Sequence, residues 1–509
     1  MESSSDLVLT VVVVPLLMLW LIYLWRNWNH RVHVNLPPGP KKLPIIGNMH
    51  LISFPHFRSY RDLAKQYGPL MHLKFGEVDA IIVSSPELAK QVLKEKDPLF
   101  ANRPESIAVH LCWYDYLDIV FCPYGDYWRQ MRKICILEVL SSKSVRSFAP
   151  IRSDEMSGLV EYLHHSTGIP VNLTEKVYTT VSSVTCRSSF GKVCKDKAAM
   201  IQVVQDILAI GAGFSIADMY PSSTVVSALS WVIKKRLRTM RRKMDFVLDD
   251  VIRRHEDGPP GSHGEFGNED LVDVLLRVKD TRLMKFPMGY DNIKALLFDM
   301  FAAGTDTSSA TIVWAMTELI RNPRVLAKAQ AEIRKVVRDS NSNCNSSTII
   351  DEEIIPNLNY LKLVVMETLR LHPQLSIIPR ASTEKCELGG YTIPENVKVL
   401  VNVWAIHRDP NNWPDPEAFQ PERFEDQHSF DFTGNGDFRY LPFGSGKRIC
   451  PGIAYGSISV SYTLAQLLYS FNWKLPDGVD AQTLDMIENT AITTARRQDL
   501  IAVATPYQP

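Results

Sequence analysis

The chain has 509 residues, 45% hydrophobic and 22% charged, which is the composition of an ordinary globular protein. Its 56 Lys and Arg balance 56 Asp and Glu, so no overall charge favours nucleic acid as a partner. The eight cysteines form no CxxC pair, which excludes zinc ribbons and thioredoxin-like sites. So low a cysteine density favours a reducing compartment over a secreted disulfide framework.

The first long apolar run is LVLTVVVVPLLMLWLIYLW at 7–25, which carries no charge. It is about long enough to span a bilayer as a helix, and Arg26 and Arg31 follow it. The positive-inside rule therefore places everything after residue 26 in the cytosol. The alternative is a cleaved signal peptide, but the run lacks a basic n-region and a small-residue cleavage site. We expect a single-pass signal-anchor within residues 1–35.

A proline-rich stretch, LPPGPKKLP at 36–44, follows this run. Prolines so closely spaced predict a stiff, non-helical hinge. Residues 45–509 read as one large catalytic domain, because helical patterns resume on both sides of the polar stretches at 255–270, 340–348 and 428–437.

Few segments of this domain alternate like strands. The clearest are 70–85 and 397–406. Long helical patterns occupy 291–323 and 359–373, and a further helix follows Cys450. The predicted fold class is mainly α with small β-sheets.

Cys450 lies in the unusual loop PFGSGKRICPG at 442–452. Its glycines allow backbone N–H groups to turn toward a sulfur. Pro451 suits a first helical position, which would place Cys450 near a helix N-terminus that stabilises a thiolate. The alternative is a buried structural cysteine. A lone thiolate without a second ligand nearby suits an axial haem ligand.

The cysteine loop resembles the signature FxxGxRxCxG of the cytochrome P450 haem-thiolate monooxygenases, through Phe443, Gly446, Arg448, Cys450 and Gly452. The resemblance extends along the whole chain and is greatest to plant microsomal enzymes that oxidise terpenoids and alkaloids. It implies a cytochrome P450 fold preceded by one transmembrane helix, with haem b as cofactor and Cys450 as axial ligand of the iron. Lys447 stands where an arginine is common.

Arginines suit the two haem propionates because they bind carboxylates in a bidentate manner. YWRQMRK matches the WxxxR helix of the family, although a generic basic face would also explain it. The haem-binding residues that the resemblance implies are Cys450, Trp128, Arg132, Arg380, Phe443, Arg448, Gly444 and Gly452.

The long helix carries AAGTDTSS at 302–309. A glycine within a helix costs about 1 kcal/mol relative to alanine. Thr305 and Thr307 could bond to carbonyls one turn earlier and open a kink or π-bulge. Asp306 and Thr307 match the family's acid–alcohol pair, which implies a catalytic proton relay; a polar patch within an ordinary helix is the alternative.

Glu367 and Arg370 lie three residues apart in METLRLHP and share one helical face. This spacing alone is weak, since exposed pairs contribute little. The resemblance adds Arg423 in FQPERF and implies a buried Glu–Arg–Arg network with a structural role.

The chain contains no dinucleotide fingerprint; GAG at 211–213 lacks the third glycine and a flanking strand. Electrons must therefore come from NADPH through a separate reductase. The resemblance implies NADPH–cytochrome P450 reductase, with cytochrome b5 as a further candidate. Arg129, Lys133 and Lys447 could form its docking surface, or simply be solvated.

Substrate contacts are implied by analogy at Ala303, Ile377, Ile378, Ala491 and Ile492. These positions are apolar, which suits a lipophilic small molecule. Ser376 and Ala381 differ from many relatives. Asp299, one turn before Ala303, would either bind an amine or pair with another helix.

The predicted function is a monooxygenase anchored in the endoplasmic reticulum membrane that uses O₂ and two electrons to hydroxylate a terpenoid. Alkaloid oxidation is the second substrate class. A haem-thiolate isomerase or dehydratase that does not use O₂ is a different alternative, against which the Thr307 hydroxyl argues. The last alternative is a haem-binding protein without catalytic activity.

Overall fold

The computed structural model describes residues 35–193, 197–210, 215–259, 263–281, 286–340, 349–425, 430–434, 436–490 and 492–508, with isolated positions between 14 and 22. Residues 211–213, most of 340–348 and Ala491 lie outside this part. Most of the apolar run at 7–25 also lies outside it. Within the described part, no helix is both long and apolar enough to cross a bilayer.

Helices make up most of the described chain, which confirms the predicted mainly α architecture. In chain order they are α1 (His56–Tyr67), α2 (Pro86–Lys90), α3 (Ile107–Cys112), α4 (Asp126–Ile134), α5 (Ser142–Ser147), α6 (Ala149–His165), α7 (Leu173–Phe190), α8 (Lys197–Ile210), α9 (Ile216–Met219), α10 (Thr224–Leu229), α11 (Trp231–Asp257), α12 (Leu271–Asp280), α13 (Tyr290–Arg321), α14 (Pro323–Ser340), α15 (Asn359–Leu371), α16 (Val403–Ile406) and α17 (Ile453–Ser470).

The strands are short and form small sheets, as predicted. They are β1 (Leu70–Phe75), β2 (Val78–Val83), β3 (Pro170–Asn172), β4 (Ile377–Ala381), β5 (Cys386–Leu388), β6 (Tyr391–Ile393), β7 (Lys398–Asn402), β8 (Phe471–Lys474), β9 (Glu488–Thr490), β10 (Thr494–Arg496) and β11 (Ile501–Pro506). One sheet has the order β1-β2-β7-β4, in which only β2 and β7 are parallel. A second has the order β3-β11-β8, and β9–β10 and β5–β6 form two-stranded ribbons.

The two predicted strand regions fold differently. The alternating residues at 70–85 form the β1–β2 hairpin, which turns at Gly76 with a φ of +62°. In 397–406 only the first half is a strand. It ends at Asn402 because this side chain accepts a hydrogen bond from Ala405 N at 3.2 Å and caps α16.

Helix α13 runs through the hydrophobic core. It is apolar on nearly all sides, and one half packs into the cluster that contains Phe298 and Phe301. The other half packs with Ile312 and Leu319 into a second cluster beside α17 and α15. A helix with this pattern is buried on all sides, so its middle is held rigidly against the cavity described below.

The proline-rich stretch at 36–44 is non-helical, as predicted, and is bound to the first sheet. His72 N donates to Pro38 O at 2.8 Å. Asn48 Nδ2 donates to Lys41 O at 3.1 Å. These bonds hold residues 38–41 beside the sheet.

Candidate active site

A cavity of about 1860 Å³, mouth included, lies between α13, the cysteine loop (442–452), β4 and residues 117–122, which we call the roof segment. Its walls are mainly apolar, with Ala303, Ile378 and Ile492 among them. The Cys450 sulfur and several arginines lie in the same cavity. An apolar cavity with few polar groups is typical of a small-molecule site.

The cysteine loop is held by its own backbone. Cys450 N donates to Phe443 O at 3.1 Å, and Gly444 and Gly446 have φ angles of +70° and +73°. At Gly446 a Cβ would lie 1.9 Å from Leu93 O, so no larger residue fits. Phe443, Gly444 and Gly452 line the cavity as a result.

The predicted helical position of Pro451 is wrong. Helix α17 begins at Ile453 with Gly452 as its N-cap, because residues 451 and 452 form a turn instead. Cys450 therefore precedes the helix. Burial raises the pKa of its thiol, while the Gly452 N–H and the Arg132 guanidinium lower it.

Four arginines line the cavity: Arg103, Arg132, Arg380 and Arg448. No carboxylate of the described residues forms an ion pair with any of them. Burial, and then the charge of Arg448, lowers the pKa of Arg380 to about 9. Burial lowers the pKa of Arg448 to about 10. Positive charges that lie this close together away from water are stabilised by a bound anion.

Trp128 supports these arginines and does not line the cavity. Its Nε1 donates to Ile119 O at 3.0 Å, so its one polar group is occupied. The Arg448 and Arg132 guanidinium carbons lie 4.4 and 5.3 Å from its ring centroid. Trp128 thus gives cation–π support to the two arginines, and its contact with haem stays a prediction.

Thr307 and Ala303 face the cavity from α13. Thr307 Oγ1 donates to Ala303 O at 2.7 Å, as predicted. Thr305 Oγ1 is buried and has no described partner. The helix is α-helical from Tyr290 to Arg321, which excludes the π-bulge; the other expected outcome, a kink, stays a prediction.

Asp306 turns away from the cavity wall, because neighbouring side chains on a helix diverge by about 100°. Burial raises the pKa of Asp306, and hydrogen bonds with Thr493 and Tyr178 lower it. Thr493 itself lines the cavity. The acid therefore reaches the cavity through Thr493 rather than directly.

On β4 only alternate residues face the cavity. Ile378 and Arg380 line it, whereas Ile377 packs on the other face against the cluster that contains Tyr60 and Met71. The prediction for Ile377 as a substrate contact is wrong for this reason. Ile492 does line the cavity, and Ala491 lies outside the described residues.

Glu367, Arg370 and Arg423 form one buried network behind the cysteine loop. Arg370 Nε donates to Glu367 Oε2 at 2.7 Å, and Arg423 Nε donates to Oε1 at 2.9 Å. Arg370 Nη1 also donates to His407 O and Pro416 O, both at 2.8 Å. The bidentate pairing satisfies the carboxylate completely.

Asp299 bonds to the roof segment: its Oδ2 accepts from Ile119 N at 2.8 Å. Asp118 Oδ2 accepts from Phe121 N at 2.7 Å. Burial raises the pKa of Asp118 to about 7, and raises that of Asp299 with help from the Asp118 charge. Sequence reasoning missed Arg103 and Asp118. The only signal for Asp118 is an acid inside the apolar run YLDIVF, and Arg103 has none.

Arg129, Lys133 and Lys447 are exposed on the outer side of the cysteine loop. Arg129 pairs with Asp126. The Arg129 guanidinium carbon and Lys447 Nζ lie 5.2 and 5.8 Å from the Tyr124 ring centroid. The structure thus brings Arg129 and Lys447 together around one aromatic ring.

Comparison with known proteins gives a consistent result. The family model for cytochrome P450 matches residues 37–501. Premnaspirodiene oxygenase of Hyoscyamus muticus is 50% identical over 96% of both chains. The 5-epiaristolochene 1,3-dihydroxylase of Nicotiana tabacum is 47% identical over 96% of both. A solved zebrafish cytochrome P450 with progesterone has a TM-score of 0.73 and 25% identity, over 89% of this chain and all of that one.

Proposed function

This chain belongs to the cytochrome P450 family, and we propose that it is a monooxygenase that hydroxylates a neutral terpenoid. The family implies a haem cofactor and electrons supplied by a reductase. The overall reaction converts RH, O₂, two electrons and two protons into ROH and water. The observation that carries the proposal is a cavity that unites a half-buried cysteine, apolar walls and arginines that form no ion pair with the described residues.

The residues present fit a haem. Arg103, Arg132, Arg380 and Arg448 would hold its two propionates, and Cys450 would ligate the iron. Arg380 Nε is buried without a described hydrogen-bond partner, which a propionate oxygen would satisfy. When bound, the haem supplies the iron at which O₂ is activated.

Protons reach this site from α13 in our proposal. The Thr307 hydroxyl faces the cavity and is oriented by Ala303 O. Asp306 holds a proton more firmly than an exposed acid would, and Thr493 connects it to the cavity. An acid with a raised pKa beside hydroxyl groups suits proton delivery.

The role of Thr307 is tested by Thr307→Val, which keeps the shape of the side chain and removes the hydroxyl. We expect product per NADPH to fall about a hundredfold, the lower end of acid–base effects, while NADPH oxidation continues and releases H₂O₂. Thr311→Val, whose hydroxyl bonds to Thr307 O at 2.8 Å, is the matched control. Unchanged coupling in Thr307→Val would remove this residue from the relay.

The substrate class follows from the relatives and the cavity charge. Premnaspirodiene and 5-epiaristolochene appear in the names of the relatives. An alkaloid with a protonated amine would meet arginines and an acid already bonded to Ile119. A neutral terpenoid avoids both the repulsion from the arginines and the competition with Ile119 for the acid. The apolar wall sets which carbon of the substrate is attacked.

The decisive experiment expresses the full chain in microsomes with a plant reductase. The reduced, CO-bound spectrum should show a Soret band displaced to the red, and Cys450→Ala should abolish it. A panel of sesquiterpene hydrocarbons and alkaloids is then analysed by mass spectrometry. Turnover of a hydroperoxide alone, without NADPH, would indicate an isomerase or dehydratase instead.

We also propose the cellular arrangement from the sequence. Residues 1–35 anchor the protein in the endoplasmic reticulum membrane, 36–44 form the hinge, and 45–509 form the cytosolic haem domain. NADPH–cytochrome P450 reductase docks at Arg129, Lys133 and Lys447, a surface that cytochrome b5 could share.

The docking surface is tested by Lys447→Glu, which should raise the reductase concentration needed for half-maximal turnover about tenfold and make it less dependent on salt. Lys335→Glu, on helix α14, is the control. Equal effects of the two variants would contradict this surface.

A further inference from the structure

The roof segment has almost no bonds to other backbone groups; side chains hold it instead. Tyr127 Oη donates to Leu117 O at 2.6 Å. Trp128 Nε1 and Arg448 Nη1 both donate to Ile119 O, at 3.0 and 3.2 Å. Buried backbone groups need such partners, so the position of the segment depends on these side chains.

The same side chains support the candidate haem site. Arg103 Nε donates to Val120 O at 3.0 Å, and an Arg448 nitrogen donates to Cys122 O. Both arginines also line the cavity beside Cys450. Arg103 and Arg448 therefore donate to the roof segment and also line the cavity in which the haem would bind.

Acids hold the N–H side of the roof segment. Asp118 caps Val120 N and Phe121 N from within the segment, at 3.1 and 2.7 Å. Asp299 holds the segment from α13: its Oδ2 accepts from Ile119 N at 2.8 Å, and the residue is 2% exposed. Within the described part of the chain, Asp299 Oδ1 has no hydrogen-bond partner.

The roof segment also forms part of the substrate wall, through Ile119, Val120 and Phe121. A residue that fixes Ile119 therefore fixes both the wall and the carbonyls that orient Arg448 and Trp128. Loss of the bond would free the N–H side and let the carbonyls that Arg103 and Arg448 bond to move with it.

We propose that Asp299 is a positioning residue that couples haem retention to the shape of the substrate wall. It acts through Ile119 N on the roof segment and, through the carbonyls of that segment, on Arg103 and Arg448. Asp299 also lines the cavity, but in this proposal it acts through Ile119 N. Asp299 keeps the roof segment in the position in which Arg103 and Arg448 face the cavity.

The test compares Asp299→Leu, which cannot accept a hydrogen bond, with Asp299→Asn, whose amide oxygen can. Asp291→Leu is the matched control, since this exposed acid lies on the same helix and pairs with Lys294 at 3.2 Å. Two measurements are made on the ferric holoenzyme: transfer of haem to excess apomyoglobin, and amide hydrogen exchange of peptides that cover 117–122.

We expect Asp299→Leu to speed both haem transfer and exchange at 119–121 about tenfold. Asp299→Asn should stay within about twofold of the wild type in both, and Asp291→Leu should not differ. If the Leu variant is isolated without haem while the Asn and Asp291→Leu variants carry it, the coupling is supported, provided that far-UV circular dichroism shows a folded chain.

The proposal is overturned if exchange at 119–121 rises while haem transfer does not, or if neither changes. It is also overturned if Asp299→Asn behaves like Asp299→Leu, or if Asp299→Leu is globally unfolded. None of these measurements uses turnover, so they are independent of the proposed substrate.

Discussion

Two groups of buried or half-buried arginines lie near the cysteine loop and differ in how their charge is balanced. Arg370 and Arg423 share the carboxylate of Glu367 and donate their remaining N–H groups to backbone carbonyls. Arg103, Arg132, Arg380 and Arg448 donate to carbonyls but share no carboxylate within the described chain. The charge of the first group is balanced by a carboxylate of the polypeptide, whereas balancing the charge of the second group requires an added anion.

The Glu367 network can thus form on folding alone, whereas the cavity arginines need the cofactor to balance their charge. A buried charge without a counter-charge destabilises the folded state. The Glu367 network should therefore form in the haem-free chain, whereas the cavity arginines should relax toward solvent until the propionates arrive. The predictions below test this contrast from each side.

The largest effect is expected from Glu367→Gln, which leaves two buried guanidinium groups with no counter-charge. The free energy of unfolding should fall by about 3–5 kcal/mol, in holoenzyme and haem-free protein alike. Urea denaturation followed by circular dichroism measures it. Glu425→Gln, at an exposed position, should change it by less than about 1 kcal/mol.

Removal of haem is expected to have the next largest effect. Ligand-free protein loses the binding free energy, about 4 kcal/mol at a thousandfold excess over the dissociation constant. On removal of haem, amide hydrogen exchange should rise most in peptides that contain Arg103 and Arg380, and least in peptides around Arg370. Uniform loss of protection would show that the two groups do not differ.

Arg380→Met should act in opposite directions on the two forms. Without haem, replacing a buried, unpaired charge by an apolar side chain should stabilise the fold by about 1–3 kcal/mol. With haem, the lost propionate contact should speed haem transfer to apomyoglobin about tenfold. Thermal unfolding of both forms measures the first effect, and a stabilised holoenzyme would contradict the assignment.

The smallest effect concerns Asp118, whose pKa is raised to about 7 by burial, against about 3.9 in an unfolded chain. The folded state then binds the proton more tightly, so stability is greatest at low pH and declines as the pH rises from about 4 to about 7. Asp118→Asn should remove this decline. Asp299 contributes in the same direction, whereas the charge of Arg448 lowers the pKa of Asp118 and weakens its contribution. Denaturation between pH 5 and 8 measures the slope.

The parts of the site that the sequence predicts are those encoded by local patterns. The cysteine loop needs Gly446 because Leu93 O leaves no room for a side chain. Glu367 and Arg370 meet because they lie three residues apart on one helix. The fold class follows from the long apolar periodicity of α13 in the same way.

The remaining parts depend on contacts between distant segments. Whether Ile377 or Ile378 faces the cavity depends on the register of β4 against β7, which no single strand contains. Trp128 was expected at the haem, but Ile119 O takes its N–H. Arg103 joins the cavity only because Val120 and Pro379 accept its hydrogen bonds.

Strand β4 places Ile378 and Arg380 on one face, two residues apart. An insertion or deletion of one residue between them would turn one of the two away from the cavity. In the proposed active site, substitution at 378 should therefore change substrate preference, whereas a change in strand length should disrupt the site. For an engineer, this makes residue 378 a position to randomise and the spacing to residue 380 a distance to preserve.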